Sequence, residues 1–518
     1  MSLSEVEFAF FFPLVFLLYW VMPRRAALQN AVLLAASLLF YASWSLKLLP
    51  LFVASTLLDF VVLRGLARAP IPPEGTANAD PRDGAPLGSA ERDPSQTETD
   101  GQAAKAVLAR RRALLALGLV NNLAALLWFK YVGFFAESFN QLLGLFGLGA
   151  SLPVLRIALP LGISFYTMAR VGVLIDTYYG RIPPVRSLLV WSTFTAFFPQ
   201  LIAGPIGRGS ELFDQYEQPR RLDPRGMIKA LGELATGFVL KVYVAAHLGS
   251  AWVDPVFSAP GTFTRKAHLL AIVGYAVQVF SDFAGYSLIA IGIARLLGIA
   301  LPENFNYPYL STNPPEIWRR WHMSLNRWLF DYIYGPMITG QGFMRGRLGL
   351  GFVVVMLISG LWHGATWPFV LWGLLQGLWL LAHYRYDLFY KSLCRKDRVW
   401  VQRRKSTPYK LAGWVVTIGF FTFSLIPFRA PSLAGCGAFL RGLLTGGAES
   451  IEGTTIHPML AVLLVVFYHA IQLPLFDRLR ERAALAPSVV RGLALGAVIV
   501  LLVMFAPVGA GTFIYAQF

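Results

Sequence analysis

Charge is what this chain has least of. Of its 518 residues only 14% are charged, while 56% are hydrophobic and 14% aromatic. A soluble globular domain carries about 25% charged residues, so a single soluble core is excluded. Cysteine is nearly missing as well. Cys394 and Cys436 stand far apart and in no metal-ligand spacing, which excludes a disulfide framework and a thiolate metal centre. Cys394 sits in a basic segment beside an apolar run, a place where S-acylation occurs, but it reads most simply as a free thiol. No basic stretch or small-residue cleavage site precedes the first apolar run, so a cleaved signal peptide is not expected. G-x-S-x-G, Walker and H-E-x-x-H motifs are all absent, which removes serine hydrolase, P-loop and zincin chemistry. No internal repeat is visible, which counts against an inverted-repeat transporter.

What the chain does have is long apolar runs. Residues 8–22, 113–129, 408–426 and 490–508 are each long enough, or nearly so, to cross a hydrocarbon core of about 30 Å as helices. Residues 30–43, 48–63 and 457–473 add shorter ones. The pattern predicts an all-α, polytopic transmembrane protein, one membrane domain over 1–518. The formal net charge of +17 first suggests nucleic acid, but the cations cluster between spans. They fall at Arg24 and Arg25, Arg64 and Arg68, Arg110 to Arg112, Lys391 to Lys405, and Arg478 to Arg491. That is the positive-inside distribution of a membrane protein, and no nucleic-acid partner is expected. Arg24 and Arg25 after the first span place the N-terminus on the extracytoplasmic side. Residues 69–109, with "APIPPEGTANADPRDGAPLGSAERDPSQTETDGQAA", lack aromatics and nearly all large aliphatics. Such a stretch buries too little surface to offset its ordering entropy, and it is expected to be a disordered cytoplasmic loop.

The region from 131 to 349 mixes short apolar segments with Pro, Gly and polar residues. Irregular polar backbone at membrane depth survives where protein or a wet cavity encloses it, so a site is expected here or close by. Two of the seven histidines stand out. His322 lies in "NPPEIWRRWHMSLNRWLFDYIY", where Pro314, Pro315 and Glu316 suit a helix start. At helical spacing Trp318, Trp321, Leu325, Trp328, Leu329 and Tyr332 share one face. Ser324, Arg320, Arg327 and Asp331 point away, and His322 falls at the seam beside Asn326. That pattern also suits an interfacial helix anchored by tryptophan. The Arg327–Trp328 pair resembles the QxxRW of processive glycosyltransferases, but Ser324 stands where Gln belongs. His363 lies in "LISGLWHGATWPFVLWG", where it is the single titratable residue. Burial would keep it neutral and able to accept a proton. Gly360 and Gly364 beside it leave room for a substrate or for close helix packing. A base without its own nucleophile implies a hydroxyl brought by the substrate.

At these histidines the chain resembles the membrane-bound O-acyltransferase family, in its bacterial branch tied to alginate O-acetylation. "PLGISFYTMARVGVLIDTYYG", "FFPQLIAGPIGR", "SDFAGYSLIAIGIARLLGIALPENFNYPYLS", "EIWRRWHMSLNRWLFDYIY", "LWHGATWPFVLWG" and "TFIYAQF" carry the likeness, from about residue 160 onward. Phe330 and Gln376 depart from it, standing where that branch commonly has Arg and His. The resemblance implies a ring of tilted helices around a funnel in the bacterial inner membrane. It makes His363 the catalytic histidine and His322 its companion. It implies a cytoplasmic thioester donor, acetyl-CoA, with no permanently bound cofactor and no metal. The acceptor would be an exported polysaccharide or peptidoglycan, or an extracytoplasmic relay protein. In this frame Arg319 and Arg320 meet the donor's phosphates, and His322 or Asn326 hydrogen-bonds the oxyanion. Trp318, Trp321 and Trp362 complete the donor-binding candidates. His363 acts as general base or as transient acyl carrier. The rival expectation is a flippase for a polysaccharide precursor, with His363 coupling it to protons.

Overall fold

The structure, a computed structural model, describes residues 2–71, 94–148, 151–155, 157–451 and 456–473, with isolated positions beyond. Of the described residues 77% are helical, and none lies in a β-strand. Among the described residues six helical stretches are long and apolar enough to cross a membrane: Ala26–Trp44, Leu49–Ala67, Gly101–Leu145, Pro224–Ser258, Arg265–Leu296 and Thr407–Arg429. The chain is thus an all-α, multi-pass membrane protein. The first apolar run forms helix α1, Val6–Val21, of 16 residues. The expected span at 490–508 and the Arg478–Arg491 cluster lie outside the continuously described residues. So do 72–93 of the expected loop. Its other end differs from expectation, because the chain is helical from Pro94 onward.

The described chain divides into two compact units. The first holds α2 (Ala26–Trp44), α3 (Leu49–Ala67), α4 (Pro94–Leu126), α5 (Ile163–Tyr178) and α6 (Leu188–Ala196). Its core is polar in one place. Asp59 of α3 and Arg170 of α5 have fully buried side chains, with Arg170 Nη1 3.8 Å from Asp59 Oδ2. Asn121 and Asn122 of α4 donate to the Asp59 carboxylate at 2.9 Å. Arg170 lies over the rings of Phe52 and Tyr166, 4.7 and 4.6 Å from their centroids. Buried charge in a membrane protein survives when it is paired and hydrogen-bonded in this way. Arg111 departs from the sequence expectation. Rather than lying in a cytoplasmic loop, its guanidinium is buried and donates to Leu66 O, Ala69 O, Thr177 O and Tyr178 O. It satisfies the orphan carbonyls at the C-terminal ends of α3 and α5 at once.

The second unit is built around α8, Arg265–Leu296, started by Thr264, whose side chain accepts from Ala267 N. The membrane-capable window of α8 is 94% buried. This explains why it reads as irregular in sequence: protein encloses it on all sides, so Gln278, Ser281, Asp282 and Ser287 sit within it at no lipid-exposure cost. Helix α7, Pro224–Phe238, packs on α8 through Gly237 and Gly285. A Cβ on either would stand 2.8 or 2.7 Å from the other's carbonyl oxygen. Just past this contact, Lys241 and Asp282 form a buried ion pair of 2.5 Å.

Helices α9 (Pro314–Arg320), α10 (Met323–Leu329), α11 (Leu348–His363) and α12 (Trp367–Lys396) follow. The basic helix α13, Arg398–Lys405, and α14, Thr407–Arg429, come next. Helices α11 and α12 form an antiparallel pair in near-backbone contact. A Cβ on Gly360 would fall 2.3 Å from Phe369 O, one on Gly373 2.4 Å from Met356 O, and one on Gly377 2.6 Å from the Val353 Cα. The glycines near His363 therefore serve helix packing, not substrate access. Gln376, the departure noted above, is buried in α12, where its Nε2 donates to Ser424 Oγ of α14 at 2.6 Å.

Candidate active site

His363 is the last residue of α11. Gly364 follows in an extended conformation, and α12 opens at Trp367. The imidazole thus stands at a tight inter-helix turn and not in the middle of a span. It is 5% exposed. Aromatic rings box it in: Trp362 at 4.9 Å, Trp372 of α12 at 5.2 Å and 86°, and Phe428 of α14 at 5.1 Å and 68° between centroids and planes. Such walls exclude bulk water from the ring.

His322 arrives from another element, and by a route that periodicity did not predict. The single amphipathic helix expected from Pro314 to Tyr332 is broken. Asn313 caps α9 as anticipated, accepting from Glu316 N at 3.0 Å, but α9 stops at Arg320. His322 takes a left-handed conformation, φ 44° and ψ 52°, before α10 begins at Met323. For a residue with a Cβ this costs on the order of 1 kcal/mol or more, and it is a conformation that gathers at functional sites. Three hydrogen bonds hold it. Asn326 Nδ2 donates to Trp318 O and Trp321 O at 2.8 and 2.6 Å, and Met323 N donates to Asn304 O at 2.9 Å. The break turns His322 inward to 1% exposure and buries Ser324, which the helical wheel had placed outward.

Asn304 fixes the tautomer of His322. Its side-chain oxygen accepts from Ser324 N at 3.3 Å and Ser324 Oγ at 2.9 Å, and lies 3.0 Å from His322 Nδ1. The backbone N–H of Ser324 can only donate, so the Asn304 atom is oxygen, and His322 Nδ1 must carry its proton. Nε2 of the neutral ring is then an acceptor. The expectation that neutral His322 donates to an oxyanion is therefore corrected. So is the same role for Asn326, whose two amide hydrogens go to backbone carbonyls.

The two imidazoles are near neighbours. Their centroids are 6.5 Å apart with planes at 53°, too far for their nitrogens to bond each other directly. Phe283 of α8 meets the His322 ring edge-on at 4.6 Å, and Trp362 lies 5.8 Å from it. A cavity of about 620 Å³ opens alongside, lined among others by Trp318, Arg319, Asn326, Arg327, Phe330 and Met356. Trp318 of its lining meets Trp372 at 5.8 Å, and Trp372 in turn walls His363. The indole N–H groups of Trp318 and Trp372 are buried with no acceptor among the described residues.

The structure brings together His322, His363, Trp318 and Trp362, with Arg319 and Asn326 on the cavity wall. It separates Arg320, which instead pairs with Glu316 at 2.9 Å. Trp321 is core, packed on Phe305 at 5.2 Å and Phe421 at 5.1 Å, so the interfacial-anchor reading fails for it and for buried Trp318. Sequence reasoning missed Asn304, Ser324, Trp372 and Phe428. No spacing rule links them to the histidines, because the contacts cross between separate elements.

Comparison with known proteins bears on this geometry. A model of the membrane-bound O-acyltransferase family matches residues 184–426, a range that includes both histidines. The chain is 35% identical over 380 residues to the probable alginate O-acetylase AlgI of Azotobacter vinelandii, covering 73% of this chain and 67% of that protein. It is 30% identical over 463 residues to the peptidoglycan O-acetyltransferase of Helicobacter pylori, 84% of this chain and 78% of that one. It is also 30% identical over 281 residues to a teichoic acid D-alanyltransferase of Streptococcus thermophilus, 51% and 66% of the two chains.

Proposed function

We propose a function from one premise: this chain belongs to the membrane-bound O-acyltransferase family and is a multi-pass membrane O-acyltransferase. Its donor is a cytoplasmic thioester, acetyl-CoA, and the acetyl group passes across the bacterial inner membrane. The acceptor is a hydroxyl of an exported polysaccharide or of an extracytoplasmic relay protein. Relatives named for alginate and peptidoglycan O-acetylation support an acetyl group and a polysaccharide acceptor.

The observation that carries this reading is the buried pair of imidazoles, 6.5 Å apart, on separate elements beside an apolar cavity with cations on its wall. In the direct route, neutral His363 takes the proton of the acceptor hydroxyl as that oxygen attacks the thioester carbonyl. The C–S bond then breaks, and the proton passes from His363 to the leaving thiolate. In the two-step route, the imidazole attacks first, thiolate leaves, and the acceptor oxygen displaces the imidazole from the acyl carbon as its proton passes to His322 Nε2, an acceptor, and on to the thiolate. The buried indole N–H groups of Trp318 and Trp372 are the donors placed for the developing oxyanion. Arg319 and Arg327 on the cavity wall meet the donor's phosphates. Trp318 lines the cavity and meets Trp372, which meets His363, so the thioester comes to the base past these two indoles.

The donor is tested with purified, reconstituted protein and acetyl-CoA labelled in the acetyl group. Label should move to an added polysaccharide or to water. Free label that never leaves the thioester in the presence of the cognate acceptor would remove acetyl-CoA as donor.

A further inference from the structure

A second cavity, of about 530 Å³, lies in the same unit where α12 hands over to α13 and α14. It is graded along its length. At one end stand Arg404 and Lys410, with the hydroxyls of Tyr386 and Tyr409 3.0 Å apart. At the other stand Trp379 of α12, stacked on Phe420 at 4.5 Å, and Val416 of α14. Helix α14 is membrane-capable and begins at Thr407, so its first turns lie at the level of the headgroups. At about 1.5 Å per residue, Val416 lies about 9 Å deeper than Lys410. The cavity is therefore cationic and hydroxylated at headgroup level and aromatic and aliphatic at acyl depth.

The charge around its rim is strongly of one sign. Residues 391–410 carry eight cations and one acid, Asp397. Asp387 pairs with Arg404 at 2.7 Å and with Lys391 at 2.8 Å, one carboxylate against two cations. It orients the Arg404 guanidinium without neutralising the site. The inner wall includes Thr312, Asn313 and Pro314, the cap and first residue of α9. Helix α14 lies hard against that segment: a Cβ on Gly413 would stand 2.6 Å from Thr312 O, and Trp414 Nε1 donates to Tyr309 O at 2.7 Å.

We propose that this cavity binds one anionic phospholipid, its phosphate on Arg404, Lys410 and the Tyr386–Tyr409 hydroxyls and an acyl chain along Trp379 and Val416. The matching gradients of charge and polarity are those of the lipid itself. A soluble phosphate ligand would satisfy the cations but leave the apolar end unused. The bound lipid would brace the start of α9, the helix that carries Trp318 and leads into His322.

The test is native mass spectrometry of the full chain released from nanodiscs of equal parts phosphatidylglycerol and phosphatidylcholine. One phosphatidylglycerol should survive release on the native chain. Each cation near a membrane surface contributes about a fivefold factor, so Arg404→Gln with Lys410→Gln should lower retention by at least about tenfold. Lys410→Glu alone, which leaves the Asp387–Arg404 pair in place, should lower it by about fivefold or more and serves if the double variant does not fold. Ala382→Trp fills the apolar end and spares both cations, so it should also lose the lipid. Unchanged phosphatidylglycerol retention in these variants would overturn the proposal, and so would equal retention of phosphatidylcholine. Inorganic phosphate that displaces phosphatidylglycerol from the native chain and binds undiminished to Ala382→Trp, with lipid retention there unchanged, would mark a soluble-phosphate site instead.

Discussion

Replacing Asn304 by alanine removes the acceptor that keeps the proton on Nδ1 of His322 and the anchor of the left-handed turn, while touching neither the donor cavity nor His363. We expect kcat to fall by about tenfold to a hundredfold with little change in KM for the donor, in line with losses at groups that orient a histidine. Asn304→Asp, which keeps an acceptor, should recover most of it. Equal losses in both variants would assign Asn304 to folding alone. The two neighbouring arginines should part ways under the same assay. Arg319→Gln should raise KM for acetyl-CoA several-fold, whereas Arg320→Gln, which breaks a half-exposed pair with Glu316, should leave KM alone and cost roughly 0–1 kcal/mol of stability. At this scale the sequence was informative about chemistry and poor about geometry. An imidazole in an apolar run is costly at any backbone conformation, so His363 is visible by composition. The tautomer of His322 depends on Asn304, a residue with no local signal.

Among helices, the α11–α12 seam is sensitive to substitution. Gly360→Ala puts a methyl group against Phe369 O and the Gly373 backbone, atoms that cannot turn aside. Overpacking of that kind costs about 1–3 kcal/mol and shifts backbone. Because His363 ends α11, the shift reaches the imidazole. Gly360→Ala should lower both the unfolding temperature in detergent and the turnover. Unchanged values of both would mean that the seam is looser than its distances. The same scale shows why the 314–334 segment was misread. Helical periodicity counts residues at a fixed 100° and has no term for a single left-handed residue, so Trp318 and Trp321 appeared as one stripe. Asn326, drawn on the seam of that wheel, is what closes the break by taking both Trp carbonyls. The capping signals, in contrast, were legible because Asn313, Pro314 and Glu316 act within one turn.

Across the whole molecule, hydropathy found α2, α3, α4 and α14, whose lipid-facing surfaces must be apolar. It passed over Pro224–Ser258 and α8. Helix α8 is shielded by protein, 94% of its window being buried, so its sequence is free to hold Asp282 and Ser287 and loses the uniform apolarity that marks a span; Pro224–Ser258, 39% buried, carries Lys241, which pairs with Asp282. The positive clusters likewise mixed two kinds of residue: solvated cations such as those of α13, and Arg111, which is spent on helix ends. The proposed acyl transfer rests on the two histidines that the second unit buries. Its most direct test is His363→Ala in the full chain, expressed in cells that export the acetylated polymer, with insertion and unfolding temperature matched to the native protein. Acetyl groups per sugar on the exported polymer should fall by a factor of about 10² or more. Acetylation at the native level would contradict the account.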